Sequence, residues 1–192
     1  MQVEAWNSVA QQINFNLEVD QLSFRQHVAF DSPILDYGCG YGRVCKVLLE
    51  QGYNNIIGID TSPEMIKRGN KINPELSLIE SNDTKTKFLN NQFGTIILCA
   101  VLTCVPELEK KEKIIAEIKR ILKPGGILHL VEFCCDSDKT FKSNFGITMH
   151  HQKPNELINI LKSFQKMKCE IFETETMNGQ KAKAMSYFGR LK

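Results

Sequence analysis

The chain has 192 residues, of which 42% are hydrophobic and 24% charged, a balance typical of a soluble globular protein rather than a disordered one. This length favours one domain, residues 1–192. The 24 Lys and Arg nearly balance the 22 Asp and Glu, so the formal charge of +2 gives no reason to expect a nucleic-acid or membrane partner.

The first residues carry no recognisable targeting signal. The stretch "MQVEAWNSVAQQ" lacks a basic head followed by an apolar core, and no apolar run approaches the ~20 residues that span a bilayer. The seven cysteines are odd in number and include no C-x-x-C pair, which favours reduced thiols in a cytoplasmic protein. No ligand spacing supports a metal site.

The N-terminal segment, residues 1–30, is expected to be partly helical. Trp6, Val9, Ala10 and Ile13 follow the i, i+3, i+4, i+7 spacing of an amphipathic helix. We expect this segment to act as a lid, with Trp6 and Phe15 either closing a pocket or only packing the segment down.

From Ile34 onward, short apolar runs alternate with helical patterns. "PILDYG" predicts a strand, followed by a helix that ends near Gly52. "NIIGID" predicts a second strand, and "TSPEM" a second helix with Thr61 and Glu64 as a capping box and Pro63 in its first turn. "LSLIE" and "TIILCAV" predict the third and fourth strands.

The rest of the chain completes the predicted sheet. A helix begins after Pro106 and ends at "KPGG", which is a turn by composition, and "ILHLVEF" is the fifth strand. A helix carrying Leu157, Ile158, Leu161 and Phe164 then precedes two strand-like runs that are joined by Asn178-Gly179, a hairpin signal.

These elements predict an α/β fold. Strands that alternate with helices imply right-handed crossovers and parallel pairing. We therefore expect a seven-stranded, mostly parallel, doubly wound sheet with helices on both faces and an antiparallel C-terminal hairpin. Residues 33–133 would form the cofactor-binding core, and residues 134–192 the acceptor-side loop, helix and terminal hairpin.

The stretch "PILDYGCGYG" carries the first chemical signal. Its glycines, Gly38, Gly40 and Gly42, are spaced G-x-G-x-G, whereas dinucleotide folds use G-x-G-x-x-G to hold a pyrophosphate. Asp36 stands at the end of the strand, where a carboxylate would repel a diphosphate but attract an ammonium group. An NAD-dependent oxidoreductase is therefore disfavoured.

A second acid, Asp60, ends the next strand and could accept both hydroxyls of a ribose. S-adenosylmethionine satisfies both sites, because its amino acid group would lie over the glycine loop and its ribose over the second strand. The ligand's own carboxylate could use the backbone N–H groups at the helix start.

Four ordered motifs, "ILDYGCGYG", "GIDTSPEMI", "TIILCAVLTCVPE" and "LKPGGILHLVEF", resemble those of class I (Rossmann-like) S-adenosylmethionine-dependent methyltransferases of the small single-domain type. The resemblance covers residues 33–133, and the terminal hairpin fits the family's reversed last strand. It implies S-adenosylmethionine as the cofactor and S-adenosylhomocysteine as the product. The cofactor-binding residues that it implies are Asp36, Gly38, Cys39, Gly40, Asp60, Thr61, Met65, Asn82, Asp83 and Cys99.

Two of these roles keep an alternative. Met65 would line the adenine or belong to the helix core. Asp83, with Asn82 as the other choice, would contact the adenine or simply occupy a turn.

The resemblance leaves the catalytic residues unknown. Many relatives carry a histidine or another polar residue where this chain has Thr103-Cys104. Cys104 is a weak candidate nucleophile, and a buried apolar filler is the alternative because no cation adjoins it in sequence. His150 and His151 are weak candidates for steering a substrate or taking a proton, or else belong to a polar loop.

The predicted reaction is an in-line displacement, in which an N, O or S atom of an acceptor attacks the methyl group of the sulfonium. Positioning and desolvation can supply much of the rate, so no catalytic base is demanded. Near-neutral charge favours a small-molecule acceptor, without nucleic acid or membrane, and a monomer or homodimer. An RNA or protein methyltransferase and a non-catalytic S-adenosylmethionine-binding module remain alternatives.

Overall fold

A computed structural model describes residues 2–81 and 84–192 of the chain. The strands in these ranges are β1 (Ile34–Tyr37), β2 (Ile56–Asp60), β3 (Ser77–Glu80), β4 (Phe93–Cys99), β5 (Leu122–Cys134), β6 (Lys139–Lys142), β7 (Thr148–His151), β8 (Phe164–Glu175) and β9 (Lys181–Leu191). The helices are α1 (Val3–Val9), α2 (Gln21–His27), α3 (Arg43–Glu50), α4 (Pro63–Ile72), α5 (Leu108–Ile121) and α6 (Pro154–Ile160).

The predicted fold class is confirmed. Over the described residues, seven strands form one sheet in the order β3-β2-β1-β4-β5-β9-β8. The first five strands pair in parallel, β9 runs antiparallel to β5, and β8 and β9 form the terminal hairpin. Strand order reverses between β1 and β4, and such a switch point opens a crevice at the carboxyl ends of the strands.

Both faces of the sheet are covered, as alternation along each strand requires. In β1, the side chain of Ile34 packs with α2 and α3, whereas that of Leu35 packs with α5 on the opposite face. In β4, Ile97 faces the first layer, and Ile96 and Leu98 face the second. The central strands β1 and β4 are therefore buried on both sides, which explains their continuous apolar sequences.

The capping prediction for α4 is wrong. The N-cap is Ser62, whose hydroxyl accepts the Met65 N–H at 3.2 Å, and Thr61 lies outside the helix. Pro63 occupies the first helical position, and a residue before proline is pushed towards extended backbone, which is the N-cap conformation.

Two further boundaries differ from expectation. The predicted turn "KPGG" lies inside β5 and not before it. Phe93 pairs with Leu122 and Thr95 with Ile127, so the residues between Leu122 and Ile127 form an irregularity within this strand. Gly125 supplies the positive φ of 72° that this irregularity requires. At the other end, α6 stops at Ile160, and Phe164 begins β8 instead of extending the helix.

Helix α2 and the β6–β7 hairpin were not predicted. The hairpin forms a separate two-stranded sheet, so His150 and His151 lie on a strand and not in a polar loop. Within the described ranges, no helix combines the length and apolar character needed to cross a membrane.

Candidate functional site

An open cavity lies at the carboxyl edge of β1, β2 and β4, where the strand order reverses, and its empty space, with the open solvent at its mouth included, is about 910 Å³. All of the cofactor-side residues proposed from the sequence that the structure describes line this one cavity. They are Asp36, Gly38, Cys39, Gly40, Asp60, Thr61, Met65 and Cys99. Asn82 and Asp83 lie outside the described residues.

The glycine loop brings backbone close to neighbouring side chains. Gly38 and Gly40 have positive φ values of 79° and 56°, which side chains with a Cβ rarely adopt. A Cβ at Gly40 would lie 2.5 Å from a ring carbon of Phe15, and one at Gly38 would lie 2.6 Å from a methyl carbon of Val101. The loop is therefore fitted between the N-terminal segment and the turn after β4.

Asp60 ties the glycine loop to the start of α4. Its Oδ2 accepts the Gly40 N–H at 2.8 Å, and its Oδ1 accepts the Ser62 N–H at 2.8 Å. Burial raises the pKa of the Asp60 carboxyl, against these hydrogen bonds, which lower it. Asp60 also lines the cavity, and a carboxylate has about four acceptor positions on its two oxygens, so its capacity for further hydroxyl donors is not exhausted by these two hydrogen bonds.

Asp36 lies deeper, with 1% of its surface exposed. Burial raises the pKa of its carboxyl to about 7, although the Cys45 thiol, which donates to Oδ2 at 3.4 Å, and the charge of Arg43 lower it. The cost of burying this charge would fall if a cation entered the cavity beside it.

Asp36 should make stability depend on pH. The native state binds this proton more tightly than the unfolded chain, whose carboxyl titrates near 3.8, so the contribution is full at low pH and is lost as pH rises through about 7. We expect Asp36→Asn to remove roughly 3 kcal/mol of the fall in unfolding free energy between about pH 5 and about pH 8. Urea denaturation of the two proteins at both pH values measures this, and identical pH slopes would contradict it.

Arg43 is a residue of the cavity that sequence reasoning missed. It begins α3, its Nη2 donates to the Leu17 carbonyl and lies 3.8 Å from the Cys99 sulfur, and its buried Nε has no partner among the described residues. A guanidinium beside a helix N-terminus favours an anion. Its position directly after Gly42 was the only signal available in the sequence.

The N-terminal segment covers one side of the cavity, which Trp6, Phe15 and Leu17 line. Arg68 of α4 holds this segment by donating to the carbonyls of Ala10 and Ile13. The same guanidinium lies 4.0 Å from the ring centroid of Tyr41, and that ring stacks on Phe15 with centroids 5.3 Å apart.

At the far end, Cys104, Phe133, Met149 and Met177 line the cavity; we call these four residues the acceptor end. Phe133, Met149 and Met177 also line an open groove between the β6–β7 and β8–β9 hairpins, so the cavity and the groove are continuous there.

The Glu132 carboxylate holds the turn after β4, which is next to the acceptor end. It is fully buried, its Oε1 accepts the N–H groups of Val101 and Leu102 at 2.9 and 2.7 Å, and its Oε2 accepts that of Thr103 at 2.9 Å. It thereby fixes the turn that carries Cys104. Burial raises the pKa of the Glu132 carboxyl to about 7.

The three weak catalytic candidates fall in different places. Cys104 lines the cavity, and burial raises the pKa of its thiol, which keeps it protonated. His151 lines the groove and stacks on Phe133 with centroids 5.3 Å apart, and burial lowers its pKa to about 4. His150 faces the other way along β7, with Nδ1 3.2 Å from the ammonium of Lys111.

Metal chemistry gains no support from the described part of the chain. Residues 2–81 and 84–192 contain no group of three or more His, Cys, Asp and Glu side chains placed to hold a metal ion. All seven cysteines are free thiols.

Comparison with known proteins places this site in context. A family model described as Methyltransferase domain matches residues 35–130. N-demethylindolmycin N-methyltransferase from Streptomyces griseus is 32% identical over 108 residues, which are 55% of this chain and 46% of that protein. The chain spans less than half the length of the curated relatives that it matches.

Two solved structures share the fold. A SAM-dependent methyltransferase from Methanosarcina mazei has a TM-score of 0.83 and 23% identity, over 91% of this chain and 99% of that one. The 1,6-didemethyltoxoflavin-N1-methyltransferase of Burkholderia thailandensis, solved with 1,6-didemethyltoxoflavin and S-adenosylhomocysteine, has a TM-score of 0.71 and 15% identity over 100% of this chain and 80% of that one.

Proposed function

Because the chain belongs to the methyltransferase-domain family, whose model matches half of its 192 residues, we propose that it transfers a methyl group from S-adenosylmethionine to an N, O or S atom of a small molecule. The observation that carries this proposal is the pair of carboxylates, Asp36 and Asp60, at the ends of adjacent parallel strands on either side of the glycine loop. Together they favour a ligand with an ammonium group and a ribose.

Each part of the cofactor has a partner of matching chemistry. Asp36 would receive the ammonium, and Asp60 the ribose hydroxyls. Arg43 and the start of α3 would hold the carboxylate, because the unpartnered Nε needs an acceptor. Thr61 and Met65 would contact the adenine. Asn82 and Asp83 remain predictions from sequence for the same part of the ligand.

A small acceptor fits the shape of the site. The N-terminal segment and the β6–β7 hairpin flank the cavity, and the groove between the two hairpins gives access to the acceptor end. Two of the similar proteins act, by their names, on small molecules: N-demethylindolmycin and 1,6-didemethyltoxoflavin. His151, in the wall of the groove, would steer such an acceptor.

We propose further that residues 1–192 form one domain that acts in the cytoplasm, as a monomer or homodimer and without a nucleic-acid partner. The free thiols favour a reducing compartment, and the formal charge of +2 provides no strong attraction for a polyanion. The N-terminal segment, residues 1–30, would act as the lid.

The test is direct binding of the product cofactor. We expect isothermal titration calorimetry to show saturable binding of S-adenosylhomocysteine and no binding of NAD⁺ at the same concentrations. NAD⁺ shares the adenosine but carries a diphosphate, which Asp36 and Asp60 would repel. Binding of NAD⁺ in preference to S-adenosylhomocysteine would refute the proposal.

A further inference from the structure

Three carboxylates lie at or beside the cavity, and the proposed function uses two of them. Asp36 and Asp60 line the cavity and are assigned to the ammonium and the ribose, whereas Glu132 has no part in that assignment. The Glu132 side chain is fully buried near the carboxyl end of β5, the strand next to β4. A buried carboxylate is costly to keep ionised unless a positive charge compensates it.

Glu132 lies directly behind the part of the cavity where β4 ends. Cys99, Ala100, Val101 and Cys104 line the cavity there, and we call these four residues the β4 wall. Oε1 of Glu132 accepts the Val101 N–H at 2.9 Å, so one residue separates the carboxylate from the cavity.

The β4 wall also touches the glycine loop. A Cβ at Gly38 would lie 2.6 Å from a methyl carbon of Val101. The wall therefore extends from the loop that would hold the amino acid part of the cofactor to Cys104 at the acceptor end. The sulfur of the cofactor, which joins these two regions, would lie beside the residues that Glu132 supports.

The backbone of this wall is strained and firmly held. Ala100 has a φ of 58°, in the left-handed region that residues with a Cβ rarely adopt. Such a conformation persists only where its surroundings impose it. The Ala100 N–H donates to the Val131 carbonyl at 2.8 Å, and the next three N–H groups all donate to Glu132. The carboxylate is thus kept at a fixed distance from the cavity.

The negative charge of Glu132 acts on both thiols of the β4 wall. Burial is the first cause that raises the pKa of the Cys104 thiol, and the charge of Glu132 is the second. After burial, the charge of Glu132 also contributes to raising the pKa of Cys99. A negative charge that disfavours a thiolate at these positions favours a cation there.

The ammonium of Lys111 offsets part of this charge. Burial raises the pKa of Glu132 to about 7, against the three N–H groups and the charge of Lys111, which lower it. Burial in turn lowers the pKa of Lys111 to about 8. At Cys104, the charge of Lys111 acts after those of Glu132 and Asp60. The field at the β4 wall is therefore negative once Glu132 is ionised.

The methyl donor and its product differ by one charge at this place. S-adenosylmethionine carries a sulfonium, and S-adenosylhomocysteine a neutral thioether, whereas the ammonium, carboxylate and ribose are the same in both. Charges that are separated by protein interact more strongly than charges separated by water. A carboxylate behind the β4 wall would therefore stabilise the donor and leave the product largely unaffected.

We propose that Glu132 recognises the sulfonium charge through the β4 wall and so shifts the balance of affinities from S-adenosylhomocysteine towards S-adenosylmethionine, an inference that rests on the proposed function. Glu132 touches neither ligand and acts as a specificity-determining residue. Loss of the methyl group removes the charge that Glu132 attracts, so the product is held less tightly than the donor was. By reciprocity, bound donor favours the ionised form of Glu132.

Calorimetry with three ligands tests this at about pH 8, where Glu132 is ionised. In Glu132→Gln, the affinity for S-adenosylmethionine relative to that for S-adenosylhomocysteine should fall about tenfold. Sinefungin, which carries an ammonium group where the donor carries its methyl sulfonium, should lose affinity as S-adenosylmethionine does. A role confined to holding the turn changes all three affinities alike, and that result would overturn the inference.

Glu117→Gln is the matched control. Glu117 is also a buried carboxylate that accepts a backbone N–H, that of Thr86 at 2.7 Å, but it does not line the cavity. The ratio of the two dissociation constants should stay within about twofold of the wild-type ratio. An equal fall of this ratio in both variants would overturn the inference.

A pH series keeps the inference testable if Glu132→Gln does not fold. Between about pH 6 and about pH 8 Glu132 becomes ionised and Lys111 begins to lose its charge, so the ratio should move towards S-adenosylmethionine. The series is measured in Asp36→Asn, because Asp36 titrates in the same range. A ratio that does not change with pH in this variant would overturn the inference.

The wild-type chain separates the two levels of the proposal. If neither S-adenosylmethionine nor S-adenosylhomocysteine binds to it, the proposed function fails and the inference fails with it. If both bind, and their ratio is the same in wild type and in Glu132→Gln, the inference alone fails and the proposed function stands.

Discussion

Glu132→Ala should lower the free energy of unfolding by about 4 kcal/mol, because it leaves three buried backbone N–H groups, those of Val101, Leu102 and Thr103, without their acceptor. It also opens a cavity in the sheet beside β4. Urea denaturation at about pH 8, where the Glu132 carboxyl is ionised, gives the value directly.

Glu132→Gln is the matched control. Its side-chain carbonyl can still accept the two N–H groups that Oε1 accepts now, while its amide NH₂ faces the N–H of Thr103. We expect it to destabilise the chain by less than Glu132→Ala does. A loss below about 1 kcal/mol for Glu132→Ala would show that solvent or a rearranged turn replaces the carboxylate.

Asp60→Ala should weaken S-adenosylhomocysteine binding about a hundredfold. The two proposed hydrogen bonds from ribose hydroxyls to this charged group would contribute ~1.5–3 kcal/mol each, so a hundredfold loss is the lower limit, and the change also frees the Gly40 and Ser62 N–H groups that order the glycine loop. Calorimetry on the purified variant measures the loss, with circular dichroism as the check on folding.

Glu64→Ala is the control for Asp60→Ala. Glu64 lies in the first turn of the same helix, α4, but its side chain is 41% exposed and pairs only loosely with Lys67 at 3.5 Å. Its loss should leave the dissociation constant unchanged within about twofold. An unchanged constant for Asp60→Ala would remove Asp60 from the proposed cofactor contacts.

The sequence was sufficient to predict those features that depend on neighbouring residues in the chain. Continuous apolar runs identified the strands of the main sheet, and acids at strand ends identified Asp36 and Asp60, because parallel strands bring their carboxyl ends to one edge. The Asn178-Gly179 pair likewise placed the terminal hairpin correctly.

The features that it missed depend on distant partners. Glu132 stands in an apolar run and looks like any strand residue, since the N–H groups that it accepts lie about thirty positions earlier. Arg43 contacts Leu17 and Cys99, which come from two other parts of the chain. The strands of the β6–β7 hairpin, KTFK and TMHH, are mostly polar and contain no apolar run of the kind that identified the parallel strands.

The contacts of Arg68 with the N-terminal segment bear on turnover under the proposed function. Phe15 lies against Gly40 and stacks on Tyr41, and Arg68 donates to the carbonyls of Ala10 and Ile13, so the aromatic ring covers the glycine loop while the segment stays in place. If S-adenosylhomocysteine leaves on this side of the cavity, the two hydrogen bonds of Arg68 must open first. Product release, and not methyl transfer, would then set the rate of turnover.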